Sequence, residues 1–404
     1  MKQLYRLFLI TTVSTVFLFG CGKDDQQVVE DNPATTEQVA FDDVEVEDYT
    51  VLKYSELEVL AYEGDVDAQV QLGRMSEYGT EDVKQDFADA ISWYQMAADS
   101  GYAEGTCALG YFYLTGTGVE QDLEKAQALF TEAIAGGSIN AYVGQARVML
   151  SQLSLDFDTP STEDLTEEEE PAEEDEELTE QLTAIYENIH KAAVAGDLDG
   201  AYYLGYCYEK GIGVLVDYKK AFDFYTRAAK SESTALEDKS ARNMANTALG
   251  LLYMKGEGVE ADTESAIDYF KAASENGYPK ADYYLGQIYE NGLGVDKDYE
   301  EAMEYYLKAA EQSYAPALNQ LGYMYYNGYG VDVDFASAVY YQKLAALQGY
   351  AIAQVNLGFL YENGYGVERN LETALAYYEM AAESGYEGAT EAVVRVKAQI
   401  NEEM

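Results

Sequence analysis

A Leu-Gly pair that returns at a fixed spacing is the feature that most constrains this 404-residue chain. The pairs begin at residues 72, 109, 204, 249, 285, 321 and 357, and the last four follow one another at intervals of 36 residues. A fixed period of this length is typical of a repeat array, in which one unit cannot bury its apolar face alone and stacks on its neighbours. The spacing therefore predicts one extended array, although the length alone would suggest two or three domains.

Each unit predicts two helices joined by a glycine loop. In the unit that starts at Ala281, the residues Leu285, Ile288 and Tyr289 recur at helical spacing and form one apolar stripe. A Gly-x-Gly-Val loop follows, in which glycine permits a positive φ at the end of the helix. An aspartate three residues after the valine is a suitable N-cap for the second helix. These aspartates are Asp86, Asp122, Asp217, Asp262, Asp298 and Asp334.

This pattern resembles the Sel-one-like repeats, which are relatives of the tetratricopeptide repeat with a slightly longer period. The resemblance covers residues 66 to 386 and implies an all-α fold: a right-handed α-solenoid of about eight helix-turn-helix repeats of about 36 residues. Members of the family mostly act as adaptors and scaffolds for protein complexes, so the resemblance implies a protein that is not an enzyme. A cysteine-rich branch of the family is linked to penicillin binding, but this chain lacks those cysteines.

The repeats are expected to occupy residues 56–388, with a disordered acidic insertion at 151–179. The first helix of the third unit is expected around residues 141–150, and its second helix resumes near Glu180. Nine further residues are added near 231–239, between two Leu-Gly pairs that lie 45 residues apart. A closing helix with a more polar outer side is expected over residues 389–404.

The N-terminal sequence is typical of a targeting signal and not of a folded element. Lys2 and Arg6 precede an apolar run of 13 residues, which is too short to span a membrane as a helix and is typical of a signal peptide over residues 1–20. The run ends in Leu-Phe-Gly-Cys, which resembles a bacterial lipobox and implies that Cys21 is lipidated. An ordinary secretory signal with a chance cysteine is the alternative. Residues 21–55 are expected to be a flexible acidic tether, and Gly22 favours the outer membrane, facing the periplasm.

Composition excludes several functions. With 74 acidic and 25 basic residues the net charge is −49, which argues against nucleic acid as a partner. One histidine and three cysteines support neither a metal site nor any cofactor. The Gly-x-Gly loops lack the preceding strand of a nucleotide site, the segment from Asp197 to Gly200 lacks further calcium ligands, and Cys207 falls on the packed stripe.

Three explanations of the charge stay open: solubility, attraction of a cationic partner, and weak binding of divalent cations to the insertion. The preferred function is a lipid-anchored scaffold whose partners are other envelope proteins and, through Cys21, the lipid membrane. A carboxylate-based hydrolase of cell-wall material is the enzymatic alternative, and a low-specificity acidic surface protein is another.

Aromatic residues of the first helices are the candidate partner-binding residues. They lie two residues before or after the Leu of the Leu-Gly pair, so they are expected to point away from the packed stripe. The resemblance implies that these positions line the concave groove. The residues are Tyr111, Tyr202, Tyr206, Tyr283, Tyr323, Phe359 and, one turn beyond Tyr323, Tyr326.

Overall fold

The computed structural model describes residues 49, 52–80, 82–153, 176–231 and 236–403, and the regular secondary structure of these ranges is helical throughout. The predicted signal peptide, Cys21, nearly all of the tether and residues 154–175 of the insertion lie outside the described residues. The helices of the described part are α1 (Tyr54–Glu63), α2 (Val66–Tyr78), α3 (Phe87–Asp99), α4 (Ala103–Thr115), α5 (Leu123–Ala135), α6 (Asn140–Gln152), α7 (Glu176–Ala195), α8 (Leu198–Lys210), α9 (Tyr218–Ala229), α10 (Leu236–Lys255), α11 (Thr263–Glu275), α12 (Pro279–Asn291), α13 (Tyr299–Glu311), α14 (Ala315–Asn327), α15 (Phe335–Ala346), α16 (Ala351–Asn363), α17 (Leu371–Glu383) and α18 (Glu387–Glu403).

Consecutive helices pair, as the repeat pattern predicts. Eight pairs run from α2/α3 to α16/α17, with α1 before them and α18 after them, and each pair packs on the next. We call the helices of a pair its first helix and its second helix. The all-α solenoid of about eight repeats is confirmed.

Aspartate caps begin the second helices. The Asp298 side chain accepts hydrogen bonds from the backbone N–H groups of Glu300 (3.0 Å) and Glu301 (3.1 Å), which have no partner within the first turn of α13. The other five predicted aspartates occupy the same cap position and accept equivalent bonds. In the last repeat Asn370 takes this role.

The Gly-x-Gly loops are inter-helix turns. Gly292 and Gly294 have φ of +70° and +69°, a conformation that side chains other than glycine rarely adopt. The amide of Gly292 closes α12 by donating to the carbonyl of Ile288 at 2.9 Å. No phosphate-binding role is needed to explain these loops.

The glycine of the Leu-Gly pair permits close contact between the two helices of a repeat. A Cβ placed on Gly286 would lie 2.5 Å from the ring of Tyr306 on the second helix. A Cβ on Gly73 would lie 2.5 Å from the ring of Tyr94, and a Cβ on Gly205 would lie 2.7 Å from the ring of Tyr225. The leucine beside each glycine is buried, so the pair marks the point where a ring from the second helix lies against the backbone of the first.

Two element boundaries differ from the expected ones. Helix α7 begins at Glu176, about one turn before the predicted start near Glu180. Glu176 and Glu177 in its first turn suit the positive end of the helix dipole, and the apolar stripe that continues to the buried Ile185 already starts at Leu178. Helix α10 begins at Leu236, so part of the material added near 231–239 extends this helix.

Candidate partner-binding surface

The first helices form one layer with an inward-curved surface. A cavity of about 350 Å³ is lined by α2, α4, α6, α8 and α10, with one second-helix residue, Tyr94, among its walls. Helices α2 and α10 are in contact although about 170 residues separate them in the chain. One cavity can receive side chains from five successive first helices only if these helices lie side by side and the layer curves around it.

The cavity wall combines arginine, tyrosine and carboxylate groups. The guanidinium of Arg147 lies 5.8 Å from the ring centres of both Tyr111 and Tyr203, within the range of a cation–π interaction. Glu104 and Asp199 also line the wall. The Tyr111 hydroxyl donates to the carbonyl of Asn140 at 3.1 Å, and burial raises its pKa, so the phenol stays neutral. Such a wall offers polar, charged and aromatic contacts to one occupant.

The positions two residues after the Leu form the accessible edge of this layer. Arg74 and Tyr111 occupy this position in α2 and α4 and line the cavity. In α14 and α16 the equivalent residues are Tyr323 and Phe359, which expose 43% and 40% of their surface. Tyr206 is half-buried at this position, with the ammonium of Lys210 at 5.9 Å from its ring centre. The partner role of these residues stays a prediction.

The positions two residues before the Leu are mostly buried, which corrects the expectation for Tyr202. This side chain is only 7% exposed, and its ring lies 5.0 Å from that of Tyr203 and 5.5 Å from that of Tyr225. Tyr283 is half-buried against Tyr306. First helices also touch the next first helix along the array, for example α4 with α6.

An aromatic cluster lies on the last repeats. We use this name for Tyr299, Tyr323, Tyr326, Tyr329, Phe335, Phe359 and Tyr365, whose neighbouring ring centres are 4.7 to 6.0 Å apart. Sequence reasoning found Tyr323, Tyr326 and Phe359 and missed the others. A usable signal was present: the loop residue of Gly-x-Gly is tyrosine only in the last two repeats, and 30 residues before it an aromatic residue follows the capping aspartate.

Buried thiols and acids have structural roles. Cys207 lies in the core, as predicted, and burial raises its pKa to about 12, so it stays a thiol. Cys107 and Cys207 are both free. Asp197 caps α8 by accepting from the amide of Gly200. Among the described residues no group of three His, Cys, Asp or Glu side chains could hold a metal ion.

Family comparison agrees with this architecture. The Sel1 repeat model matches residues 66–102, 103–138, 198–233, 243–278, 279–314, 315–350 and 351–386, which is more than half of the chain. The chain belongs to the Sel1 repeat family. The pair α6/α7, whose helices are separated by the insertion, is a further unit that the family model does not match.

A solved Sel1 repeat protein shares the arrangement. The crystal structure of a Sel1 repeat protein from Oxalobacter formigenes is 26% identical, with a TM-score of 0.51 over 85% of this chain and 90% of that one. A protective antigen of uropathogenic Escherichia coli strains that displays an SLR fold is 21% identical, with a TM-score of 0.32 over 86% of this chain and 91% of that one. Sel1 repeat proteins typically act as scaffolds for protein–protein interaction, and the fold is typically non-enzymatic. Among the described helices of this Sel1 repeat protein, none combines the length and apolar character that a membrane span requires.

Proposed function

We propose that this Sel1 repeat protein is a lipid-anchored scaffold of the bacterial cell envelope, which binds partner proteins on the inner surface of its first helices. The observation that carries the proposal is the cavity lined by five successive first helices. Arg74 and Tyr111, two residues after the Leu, line this cavity, and the same position is exposed in later repeats at Tyr323 and Phe359. A surface to which five successive repeats contribute suits an extended protein ligand better than a small molecule.

Support for the anchor comes from the N-terminal sequence. The apolar run before Cys21 is shorter than the roughly 20 residues that a membrane-spanning helix needs, so a lipidated Cys21 would supply the attachment. The acidic residues that follow would hold the repeats away from an anionic membrane surface. Because Gly22 follows the cysteine, we place the protein at the outer membrane, facing the periplasm.

The roles of the buried acids support a scaffold over a hydrolase. Burial raises the pKa of Asp282 as it would for a general acid, but this carboxylate accepts a hydrogen bond from the Ser274 hydroxyl at 2.5 Å. Asp197, whose pKa burial raises to about 6, is an N-cap. Asp282 links α12 to α11 and Asp197 caps α8, and these structural roles account for their burial.

Site-specific photo-cross-linking in the native host tests the binding surface. A benzophenone amino acid at Thr115, which lines the cavity, should trap one or a few proteins. The same group at Tyr340, which is 59% exposed on the second helix α15, serves as the matched control and should trap none of them. Protein adducts at position 340 alone, or no adduct at either position in intact cells, would contradict the proposal.

Metabolic labelling tests the anchor. Radioactive palmitate should label the wild-type protein and leave a Cys21→Ala variant unlabelled and largely absent from membrane fractions. Equal labelling of the two proteins would refute the lipobox assignment without affecting the binding surface.

A further inference from the structure

We infer that the aromatic cluster binds an arginine- or lysine-rich segment of a partner protein through cation–π contacts. This inference rests on the proposed scaffold function and adds the chemistry of the partner. It depends on three observations: the packing of the rings, the charge around them, and an ammonium group that already lies on one of them.

The rings form a preorganised surface. Tyr329 stacks on Tyr299 with ring centres 4.7 Å apart and an interplanar angle of 10°, and Tyr323 meets Tyr329 at 62°. On the next repeat, Phe335 and Tyr365 lie 5.0 Å apart. Rings that already contact one another lose little conformational freedom when a ligand arrives.

Two residues of one helix join these groups. Tyr323 and Tyr326 are one turn apart on α14, and Tyr326 contacts Phe335, Phe359 and Tyr365 at 5.5 to 5.9 Å. The two groups of rings are therefore adjacent on α14, and together they span two repeat junctions. The cluster's two most exposed rings, those of Tyr323 and Phe359, lie at the partner-facing position of successive first helices.

The surroundings of the cluster are negatively charged. Residues 279–386, which contain it, carry fifteen acidic and five basic residues, and the whole chain carries a net charge of −49. Asp298 and Asp334 directly precede Tyr299 and Phe335 in the chain. The Ser337 hydroxyl donates to Asp334 and lowers its pKa, so this carboxylate stays charged. An acidic partner would be repelled here, and a neutral apolar segment would gain nothing from the field.

A cation already lies on the cluster. The ammonium of Lys297 is 4.8 Å from the ring centre of Tyr299 and donates a hydrogen bond to its hydroxyl at 3.1 Å. The neighbouring Tyr323 presents a neutral ring, because burial first, and then Tyr329 and the charge of Glu290, raise its pKa. The electron-rich face of a neutral phenol within a negative field attracts guanidinium and ammonium groups. Arginine and lysine side chains are therefore the ligands that the cluster fits.

Two matched peptides and four variants of the full chain test the inference. The probe is a short fluorescent peptide in which arginine alternates with glycine, and its control replaces every arginine by citrulline, which keeps the shape and removes the charge. The wild-type protein should bind the arginine peptide and bind the citrulline peptide at least tenfold more weakly. The double variant Tyr323→Leu with Phe359→Leu keeps apolar area but removes both π faces, and it should bind about tenfold more weakly than wild type.

Two further variants test whether a loss of peptide binding is due to the loss of the aromatic faces. Tyr323→Phe removes only the hydroxyl and should keep the wild-type affinity, as should Tyr340→Leu, which alters an exposed tyrosine outside the cluster. Circular dichroism checks that every variant is folded, and Tyr323→Leu alone replaces the double variant if that one is not.

Each contrary result has a distinct meaning. Equal binding of the two peptides would show that charge is not recognised, and it would overturn the inference. So would wild-type binding by the double variant, which would indicate unspecific attraction to an acidic protein. If cross-linking at Thr115 still traps a partner in either case, the scaffold function stands and only the chemistry assigned to the cluster fails.

Discussion

The hydroxyl of Tyr306 donates a hydrogen bond to the carboxylate of Glu290 at 2.6 Å, across the two helices of one repeat. The same bond joins Tyr94 to Glu77, Tyr225 to Glu209 and Tyr378 to Glu362, at 2.7, 2.7 and 2.9 Å. Burial, then the charge of Glu290, raises the pKa of Tyr306, so its hydroxyl remains a donor. In four repeats the tyrosine hydroxyl of the second helix thus donates its hydrogen bond to a glutamate of the first helix.

The two positions of this pair change together along the chain. Where the second helix carries Phe130 or Phe270, the first helix carries Leu114 or Met254 in place of glutamate, and both members pack in the same apolar cluster. A phenylalanine has no hydroxyl to satisfy, so a carboxylate opposite it would be buried without a partner. In these six repeats the two positions therefore hold either a polar pair or an apolar pair. The repeat α14/α15 differs, because it carries Gln342 opposite Tyr326, and the Gln342 amide donates instead to the carbonyl of Asn319 at 3.0 Å.

This pairing predicts a non-additive mutant cycle. Glu290→Met should lower the stability by about 2 kcal/mol, because Tyr306 and Gln320 both lose their acceptor. Tyr306→Phe should cost about 1 kcal/mol. The double variant recreates the apolar pair of the Phe270 repeat and should cost less than the two single changes together. Urea denaturation of the four proteins measures the coupling, and strictly additive effects would contradict it.

The Leu-Gly pair predicts a steric clash. Gly286→Ala would place a Cβ 2.5 Å from the Tyr306 ring and should lower the stability by roughly 1–3 kcal/mol, although alanine favours helix more than glycine. Gly388→Ala in α18 is the control, because this exposed glycine meets only the edge of the Tyr386 ring, at 3.0 Å. Thermal unfolding should show a lower midpoint for the first variant and an unchanged or higher one for the second. Equal midpoints would mean that the ring of Tyr306 moves freely.

The sequence predicted the repeat and its local signals because these depend on neighbouring residues. Asp298 caps a helix and Gly292 ends one through contacts with residues close by in the chain. The same residue types return at the same places in other repeats, so the sequence shows these signals directly. The burial of Tyr202 depends on the rings of Tyr203 and Tyr225, the second of which lies on the other helix of the repeat. The aromatic cluster depends on contacts between residues 30 apart, such as Tyr299 and Tyr329, which a helical stripe does not show.

A buried N-cap predicts a pH-dependent stability. Burial raises the pKa of Asp197 to about 6 in the folded protein, whereas an unfolded aspartate has a pKa near 3.9. Between these values the folded state binds a proton that the unfolded state does not, so protonation stabilises the fold as the pH falls from 7 to 5. Asp197→Asn keeps a good cap without the titrating group. The stability of wild type relative to this variant should therefore rise as the pH falls over that range, by about 1.3 kcal/mol.

An exposed cap gives the opposite sign and serves as the control. The Ser265 hydroxyl donates to Asp262 at 2.6 Å and lowers its pKa, so the stability from this carboxylate is present above the unfolded pKa and is lost at lower pH. Denaturation of wild type and of the Asp262→Asn variant, each at pH 7 and below pH 4, should show this loss of stability in the wild type and not in the variant. Identical pH profiles for wild type and Asp197→Asn would show that Asp197 does not titrate in this range.

The two tyrosines that flank Leu204 on α8 should respond differently to truncation. Tyr202 is buried against Tyr203 and Tyr225, so Tyr202→Ala should leave a cavity and lower the stability by roughly 3–5 kcal/mol. Tyr206, two residues after the Leu, is half-buried, so Tyr206→Ala should cost at most about 1 kcal/mol. Urea denaturation of both single variants measures the difference, and Tyr206→Phe controls for the hydroxyl. A large loss at position 206, or a negligible loss at position 202, would mean that the partner-facing and packed sides of this helix have been assigned the wrong way round.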